Sequence, residues 1–318
     1  MVKPEEKFKL IVEQMTTLFE RNEPIKNADL INICRNYDLD LFSPAKEPHL
    51  LHELFETTLN LHLAKKFGFM KFDDNKLHPQ ILSDLIDLLE KCPPQSWRGG
   101  EQIKMQQFST PPTIAFLMAL LLKPKPKELI LEPSAGTGSL AVWLKIARSQ
   151  VHLNELSETR QILLRLQGFS STNYNAEFLD DLLQEEIRPD AVLMNPPFSA
   201  SAGRTKSGNS NFGFRHITSA LKRLKNGGRL IGLFGTNALT KTQKGLQFLN
   251  HLPENCSLKA IIHLPHNAYY KYGTSLPVSI LCIVKDGTQK PLNEVLKFNC
   301  PNLENILTHP DLLYWSKE

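Results

Sequence analysis

The chain has 318 residues, 41% hydrophobic and 22% charged, a globular balance sufficient for one large or two modest domains. Its longest apolar stretch, residues 114–122, is too short to span a bilayer, and the amino-terminal MVKPEEKFKL lacks the apolar core of a signal peptide. The five cysteines are scattered without a CxxC pair, which argues against a disulfide framework or a zinc site and makes a reducing cytoplasm the expected location. Net charge is +4 but unevenly placed: residues 1–95 hold 12 Lys and Arg against 16 Asp and Glu, so the remainder carries +8. The second part is thus the one expected to attract a polyanion.

Residues 1–92 read as helices. Phe8, Leu10, Ile11, Met15, Leu18 and Phe19 fall at helical spacing, and a second short helix follows Asn27. Residues 47–67 are apolar over most of a helical circumference, and residues 81–89 make a fourth helix. His49, His52 and His62 lack the spacing of a metal motif and read as solvated or core-edge side chains. The expectation is a helical accessory domain over 1–95, whose residues do not reveal its task. Cys92-Pro93-Pro94 and Trp97-Arg98-Gly99-Gly100 break the pattern, and a second domain is expected over 96–318.

Phe108-Ser109-Thr110-Pro111-Pro112 precedes an apolar helix over 113–122. Ser109 or Thr110 is a natural N-cap, a proline suits the first helical position, and free N–H groups at such a start can hold a carboxylate. A strand over 128–132 then runs into Pro133-Ser134-Ala135-Gly136-Thr137-Gly138-Ser139 and a helix over 140–147. Two glycines one residue apart suit a tight strand-to-helix turn that lets backbone approach a ligand. No Gly-Lys-Ser/Thr follows, so this is not a phosphate-binding Walker loop. The next strand, 150–156, ends in Asn154-Glu155-Leu156, and an acid at the tip of a second strand about 20 residues past the glycines is the usual partner of ribose hydroxyls. A helix over 158–166 leads to a weaker strand at 174–178, closed by Leu179-Asp180-Asp181, where Asp180 is a candidate acceptor for an adenine amine.

The fourth strand is the most informative. Ala191-Val192-Leu193-Met194 is an apolar run of the kind buried in a covered parallel sheet, and it stops at Asn195-Pro196-Pro197-Phe198. Proline cannot donate to a ladder, and Pro197 pushes Pro196 into an extended conformation. The result is a stiff arm carrying an amide, a main-chain carbonyl and an aromatic ring at the carboxyl edge. The amine of a nucleobase is a poor nucleophile because its lone pair is conjugated into the ring. Two carbonyl acceptors can take both its hydrogens and favour a pyramidal nitrogen, while the ring offers the base a stacking face. Beyond lies a Ser-, Gly- and Asn-rich loop over 199–212 carrying Arg204 and Lys206, which reads as a clamp or as a solvated connector. A basic helix from Arg215, strands at 229–234, 258–264 and 278–285, and a helix at 243–252 follow. Tyr269-Tyr270-Lys271-Tyr272 mixes rings with positive charge beside a strand end, as in sites that stack a nucleobase.

In combination these motifs resemble the S-adenosylmethionine-dependent DNA adenine-N6 methyltransferases, in particular the branch of type I modification subunits and phage- and plasmid-type methylases. Phe108-Ser109-Thr110-Pro111-Pro112, Leu131-Glu132-Pro133-Ser134-Ala135-Gly136-Thr137-Gly138, Asn195-Pro196-Pro197-Phe198 and Leu264-Pro265 with Tyr269 stand in that family's order, over roughly residues 100–287. The resemblance implies an α/β fold: a class I methyltransferase-like, doubly wound, mostly parallel seven-stranded sheet with the last strand antiparallel, behind an N-terminal helical domain. It implies S-adenosyl-L-methionine as cofactor, with Phe108, Ser109, Thr110, Pro111, Glu132, Pro133, Ser134, Gly136 and Gly138 around its methionine part, Glu155 on its ribose and Asp180 on its adenine. Asn195, Pro196, Pro197 and Phe198 would form the catalytic arm, Asn195 also facing the cofactor, and Phe198 and Tyr269 would sandwich a flipped adenine.

Arg204, Lys206, Arg215 and Lys271 are the candidate contacts to double-stranded DNA, and no metal is expected in the scheme. Family members that choose their own sequence carry a large recognition domain after the catalytic part, whereas only about 30 residues follow the seventh expected strand here: either the helical front end reads DNA, or a partner such as a separate specificity subunit or a helicase does, or specificity is short and loose. The arm's chemistry also accommodates the N2 amine of guanine in ribosomal RNA or the side-chain amide of a protein glutamine. A non-catalytic nucleic-acid-binding subunit is the remaining alternative.

Overall fold

The computed structural model describes residues 3–315 apart from 22, 40, 42–47, 74–75, 96–108, 198–211, 254 and 289–290. Phe108, Phe198, Arg204 and Lys206, and the break at Trp97-Arg98-Gly99-Gly100, therefore lie outside the described residues.

Short apolar runs without polar alternation form the middle of the sheet, as expected where both faces are covered. The strands are β1 (Leu129–Glu132), β2 (Gln150–Asn154), β3 (Ser171–Thr172), β4 (Ala191–Met194), β5 (Arg229–Gly235), β6 (Ser257–His263), β7 (Val278–Val284) and β8 (Leu296–Asn299). Their order is β3-β2-β1-β4-β5-β7-β6-β8. β1 to β5 are parallel, and β7 inserts antiparallel between β5 and β6. The eighth strand, which the sequence reading does not include, pairs parallel with β6 at the sheet edge. Its side chains alternate between half-buried and exposed, so it has no apolar run to announce it.

From β1 the chain winds outward to β2 and β3, then returns to lay β4 on the other side of β1. Strand order reverses there, and the crevice outside the carboxyl ends of β1 and β4 is where open α/β sheets take ligands.

Helices cover both faces. On one side lie α1 (Pro4–Thr16), α2 (Asn27–Asn36), α3 (His49–Phe67), α4 (His78–Lys91), α5 (Pro112–Leu122), α6 (Ala141–Ile146) and α7 (Glu158–Leu166). α5 is apolar around its whole circumference and buried at every position, the pattern of an interior helix. It lies on β4 and β5 beneath α4, while α3 packs on α6 and α7. The first four helices thus share one core with the sheet: Ile11, Leu51, Leu54 and Leu82 join Phe116, Trp143, Leu193 and Ile262 in a single buried cluster. The alternate residues Leu131, Val192 and Met194 face the opposite layer, built from α8 (Leu179–Leu182), α9 (Phe212–Arg223), α10 (Thr236–Thr240) and α11 (Gln243–Asn250).

β3 is shorter and earlier than the sequence suggests. Pairing ends at Thr172, and the Asn175 side chain accepts from the Glu177 N–H to start a 3-10 turn over Ala176–Phe178 that leads into α8. Asp180 consequently sits on a helix and not at a strand end.

Arg229, the first residue of β5, ties the sheet to the end of α5. It holds the Glu128 carboxylate at 2.8 and 3.1 Å and donates to the carbonyls of Leu122 at 2.6 Å and Lys123 at 2.9 Å. Arg229→Ala is expected to lower unfolding free energy by about 3 kcal/mol in a urea titration, since it strands Glu128 and two helix-end carbonyls together. A loss below about 1 kcal/mol, the range of an exposed pair, would show that this joint is not structural.

Candidate functional site

Asn195 leaves β4 next to the carboxyl end of β1, because β4 pairs directly with β1. Its amide Nδ2 donates to Thr110 Oγ1 at 3.0 Å. The Tyr269 ring is buried, 1% exposed, and its hydroxyl faces both side chains. Burial pushes the Tyr269 phenol well above its ordinary pKa despite the opposing effect of Thr110 and Asn195, so it stays neutral. The Thr-Pro segment, the Asn-Pro-Pro arm and the Leu-Pro…Tyr strand end, far apart in sequence, thus meet at one point. Tyr269 is a wall of that point rather than an open stacking face.

The turn after β1 is held from several sides. Gly136 has a φ of +57°, and a Cβ there would meet nothing within 4 Å, so this side of the turn is open. Gly138, with φ +89°, sits against Gln167 and Leu164 and closes the opposite side. The Glu155 carboxylate accepts from the Gly136 N–H at 2.7 Å and from the Ser157 N–H at 2.8 Å, bridging the glycine turn to the start of α7. Asn154, not singled out by the sequence reading, staples the strand exits: Nδ2 donates to the carbonyls of Pro133 at 3.0 Å and Tyr174 at 2.9 Å, and Oδ1 accepts from the Tyr174 N–H at 2.9 Å.

Glu132, the last residue of β1, is 1% exposed, and its Oε2 has no hydrogen-bond partner among the described residues. Burial first, and the nearby Glu155 charge second, raise its pKa well above the ordinary carboxylate value. Pro133 is buried beside it, whereas Ser134 is half-buried at the mouth of the turn. Leu156 and Phe178 project at this edge as large apolar side chains 56% and 48% exposed.

Several expected contacts have other tasks. Ser109 and Thr110 do not cap α5: its N-cap is Pro111, without a side-chain cap bond, because both hydroxyls are committed elsewhere. Asp180 is tied to α9, accepting from Ser219 Oγ at 2.8 Å and Lys222 Nζ at 2.6 Å. Burial pushes its pKa up, but these two bonds outweigh it and hold the carboxyl below its ordinary range. Glu177, buried three residues earlier, pairs with Arg215 at 3.2 Å, leaving the Arg215 side chain 51% exposed. Lys271 donates to the carbonyls of Glu90 at 3.0 Å and Cys92 at 3.3 Å, so it fastens the segment after α4 rather than facing outward. The basic helix α9 is likewise engaged, with Lys222 on Asp180 and Arg223 on the Leu183 carbonyl.

The site also reaches into the N-terminal helices. Glu56 on α3 accepts from Ser109 Oγ at 2.6 Å and Thr137 Oγ1 at 2.7 Å through Oε2, and from Gln95 Nε2 at 2.6 Å through Oε1. Asn60 Nδ2 donates to the Thr137 carbonyl at 2.9 Å, and Glu53 pairs with Arg160 on α7 at 2.8 Å. Glu53, Glu56 and Asn60 are polar at spacings of three and four within a helix otherwise buried on most sides, a signal present in the sequence.

Residues 99–305, nearly two thirds of the chain, match the model of the N-6 DNA methylase family. The chain belongs to this family. It is 25% identical over 224 residues to the methylase subunit of the StySPI type I restriction enzyme of Salmonella potsdam, covering 58% of this chain and 41% of that one. The EcoKI methylase subunit of Escherichia coli K12 is 26% identical with the same coverage. The chain therefore spans about two fifths of the length of these curated relatives. Among solved structures, a candidate class I S-adenosylmethionine-dependent methyltransferase from Listeria monocytogenes superposes with a TM-score of 0.53 at 16% identity, covering 98% of both chains. The modification subunit of a candidate type I restriction enzyme from Vibrio vulnificus YJ016 gives a TM-score of 0.50 at 18% identity, over 67% of this chain and 53% of that one. The fold is that of class I methyltransferases, and the Listeria likeness extends it to the N-terminal helices.

Glu132 provides a test of the electrostatics. Its folded pKa lies above the unfolded value of 4.5, so the wild type is penalised progressively as pH rises from there through the folded pKa. Glu132→Gln does not titrate. It is expected to match the wild type near pH 4.5 and to exceed it by about 1–3 kcal/mol of unfolding free energy above the folded pKa. Parallel melts across this range that never diverge would contradict the burial of an uncompensated carboxylate.

Proposed function

We propose that this chain transfers a methyl group from S-adenosylmethionine to the N6 amine of adenine in DNA. The observation that carries the proposal is the convergence at the switch point: Asn195, bonded to Thr110, stands one strand away from Glu132 and the Gly136 turn. The residues present fit the cofactor. Gly136 is open where backbone would approach a ligand, and Glu132 offers a buried oxygen without a partner to an ammonium group. The start of α5, which has no side-chain cap, suits a carboxylate, and Leu156 and Phe178 offer apolar faces to a purine beside Glu177 and Asp180. Glu155 retains acceptor capacity for ribose hydroxyls beyond the two N–H groups it already holds. When bound, S-adenosylmethionine supplies a methyl group on a positively charged sulfur.

This chain's own residues then act on the amine. The Asn195 side-chain carbonyl and the Pro196 main-chain carbonyl accept its two hydrogens and free its lone pair for in-line attack. Thr110 fixes which end of the Asn195 amide faces the base, since it takes the Nδ2 hydrogen. Positioning and charge placement dominate such a transfer. Phe198 provides the stacking face, and Arg204, Lys206 and Arg215 contact DNA phosphates. Choice of target sequence belongs to a partner, a reading supported by relatives that are methylase subunits of larger enzymes.

Purified protein is expected to transfer tritiated methyl to unmethylated duplex DNA. Asn195→Ala should lower transfer about 100-fold or more while leaving S-adenosylmethionine affinity within about threefold. Transfer that survives the substitution would remove Asn195 from the chemistry.

A further inference from the structure

We propose that Glu56, from the N-terminal helices, is a positioning residue of the cofactor site: it holds the glycine turn and the Thr-Pro segment in the arrangement that S-adenosylmethionine binds. The inference rests on the functional reading above and adds to it a residue outside the region matched by the family, which begins at residue 99.

The geometry is unusually concentrated. One carboxyl group takes three hydrogen bonds, at 2.6, 2.6 and 2.7 Å, from three separate stretches of chain. Ser109 belongs to the Thr-Pro segment, Thr137 to the glycine turn, and Gln95 to the connection after α4. Glu56 is 3% exposed, so these bonds are shielded from water and from salt. Thr137 stands between the two glycines. Its hydroxyl turns back to Glu56 and its carbonyl takes the Asn60 and Gln167 amides at 2.9 and 2.8 Å. The rear of the turn is therefore clamped, while the Gly136 side stays open for a ligand.

The same carboxylate oxygen that holds Thr137 holds Ser109, whose neighbour Thr110 carries Asn195. A chain of direct contacts thus runs from the glycine turn through Glu56 and the Thr-Pro segment to the Asn195 arm. Burial of a carboxylate costs stability unless it is bonded. A helix that served only to cover the core would be expected to present an apolar side chain here, as α3 does at Leu54, Phe55 and Leu59.

Calorimetric titration of the full chain with S-adenosylmethionine, without DNA, separates the possibilities. Glu56→Ala is expected to weaken binding tenfold or more, Glu56→Gln less, and Thr137→Val, which removes one bond on the side facing away from the ligand, about threefold to tenfold. Asp190→Asn serves as the stability control. It loosens β1 at the opposite sheet edge, where Asp190 accepts from the Leu129 N–H at 2.8 Å, and should lower the melting temperature without changing affinity. Should Glu56→Ala not fold, Thr137→Val and Glu56→Gln decide. Affinities of the folded variants within twofold of wild type overturn the inference, as does loss of affinity in Asp190→Asn equal to theirs. A wild-type chain that does not bind S-adenosylmethionine overturns both this inference and the cofactor reading. Binding without methyl transfer to DNA removes only the DNA reading.

Discussion

Adjacency of β1 and β4 is the constraint on which the rest of the molecule depends. Ile130 and Leu131 pair with Ala191 and Val192, residues about sixty positions later, while the intervening chain is sent outward through β2 and β3. Both strands are buried and apolar almost to their last residue, then change character abruptly: β1 ends on Glu132 and β4 is followed by Asn195. β1 therefore ends on a buried acid at the same sheet edge from which Asn195 leaves the neighbouring strand.

Two layers of support keep the edge in place. Asn154 and Glu155 bind the exits of β1, β2 and β3 through main-chain groups, which needs no particular side chain on the partner strands. Behind them α3 supplies Glu53, Glu56 and Asn60 to α7, the Thr-Pro segment and the glycine turn. Interior carboxylates are expensive, and Glu53, Glu56 and Glu155 each accept hydrogen bonds, whereas Glu132 Oε2 has no partner among the described residues. That exception stands where a ligand's positive group would be accommodated, so the unmet bond and the inferred function coincide.

Much of this was legible in the sequence. Apolar runs followed by turns marked β1, β4, β5 and β7, and Glu155 lies at the tip of β2 because the run before it stops at Asn154. The antiparallel β7 followed from the resemblance rather than from any residue pattern. β8 was hidden because a half-exposed edge strand has no apolar signature, and the shift in β3 because Asn175 starts a turn inside the weaker strand expected at 174–178. Lys271 reads from the sequence as a contact for DNA, since a sequence shows charge but not the carbonyls that absorb it. Tyr269 was recognisable as important, whereas its burial beside Thr110 and Asn195 needed the tertiary structure. Glu56 was the least visible of all: its partners lie between 39 and 81 positions away.

The central claim is that the two carbonyls of the Asn195–Pro196 corner select a planar amine of DNA adenine. Mass spectrometry of nucleosides from DNA incubated with the protein and methyl-deuterated S-adenosylmethionine reads the modified atom directly. The account predicts deuterated N6-methyl-2′-deoxyadenosine as the new nucleoside. Label on cytosine, or label absent from DNA and present in RNA guanine or in a protein glutamine, would contradict it.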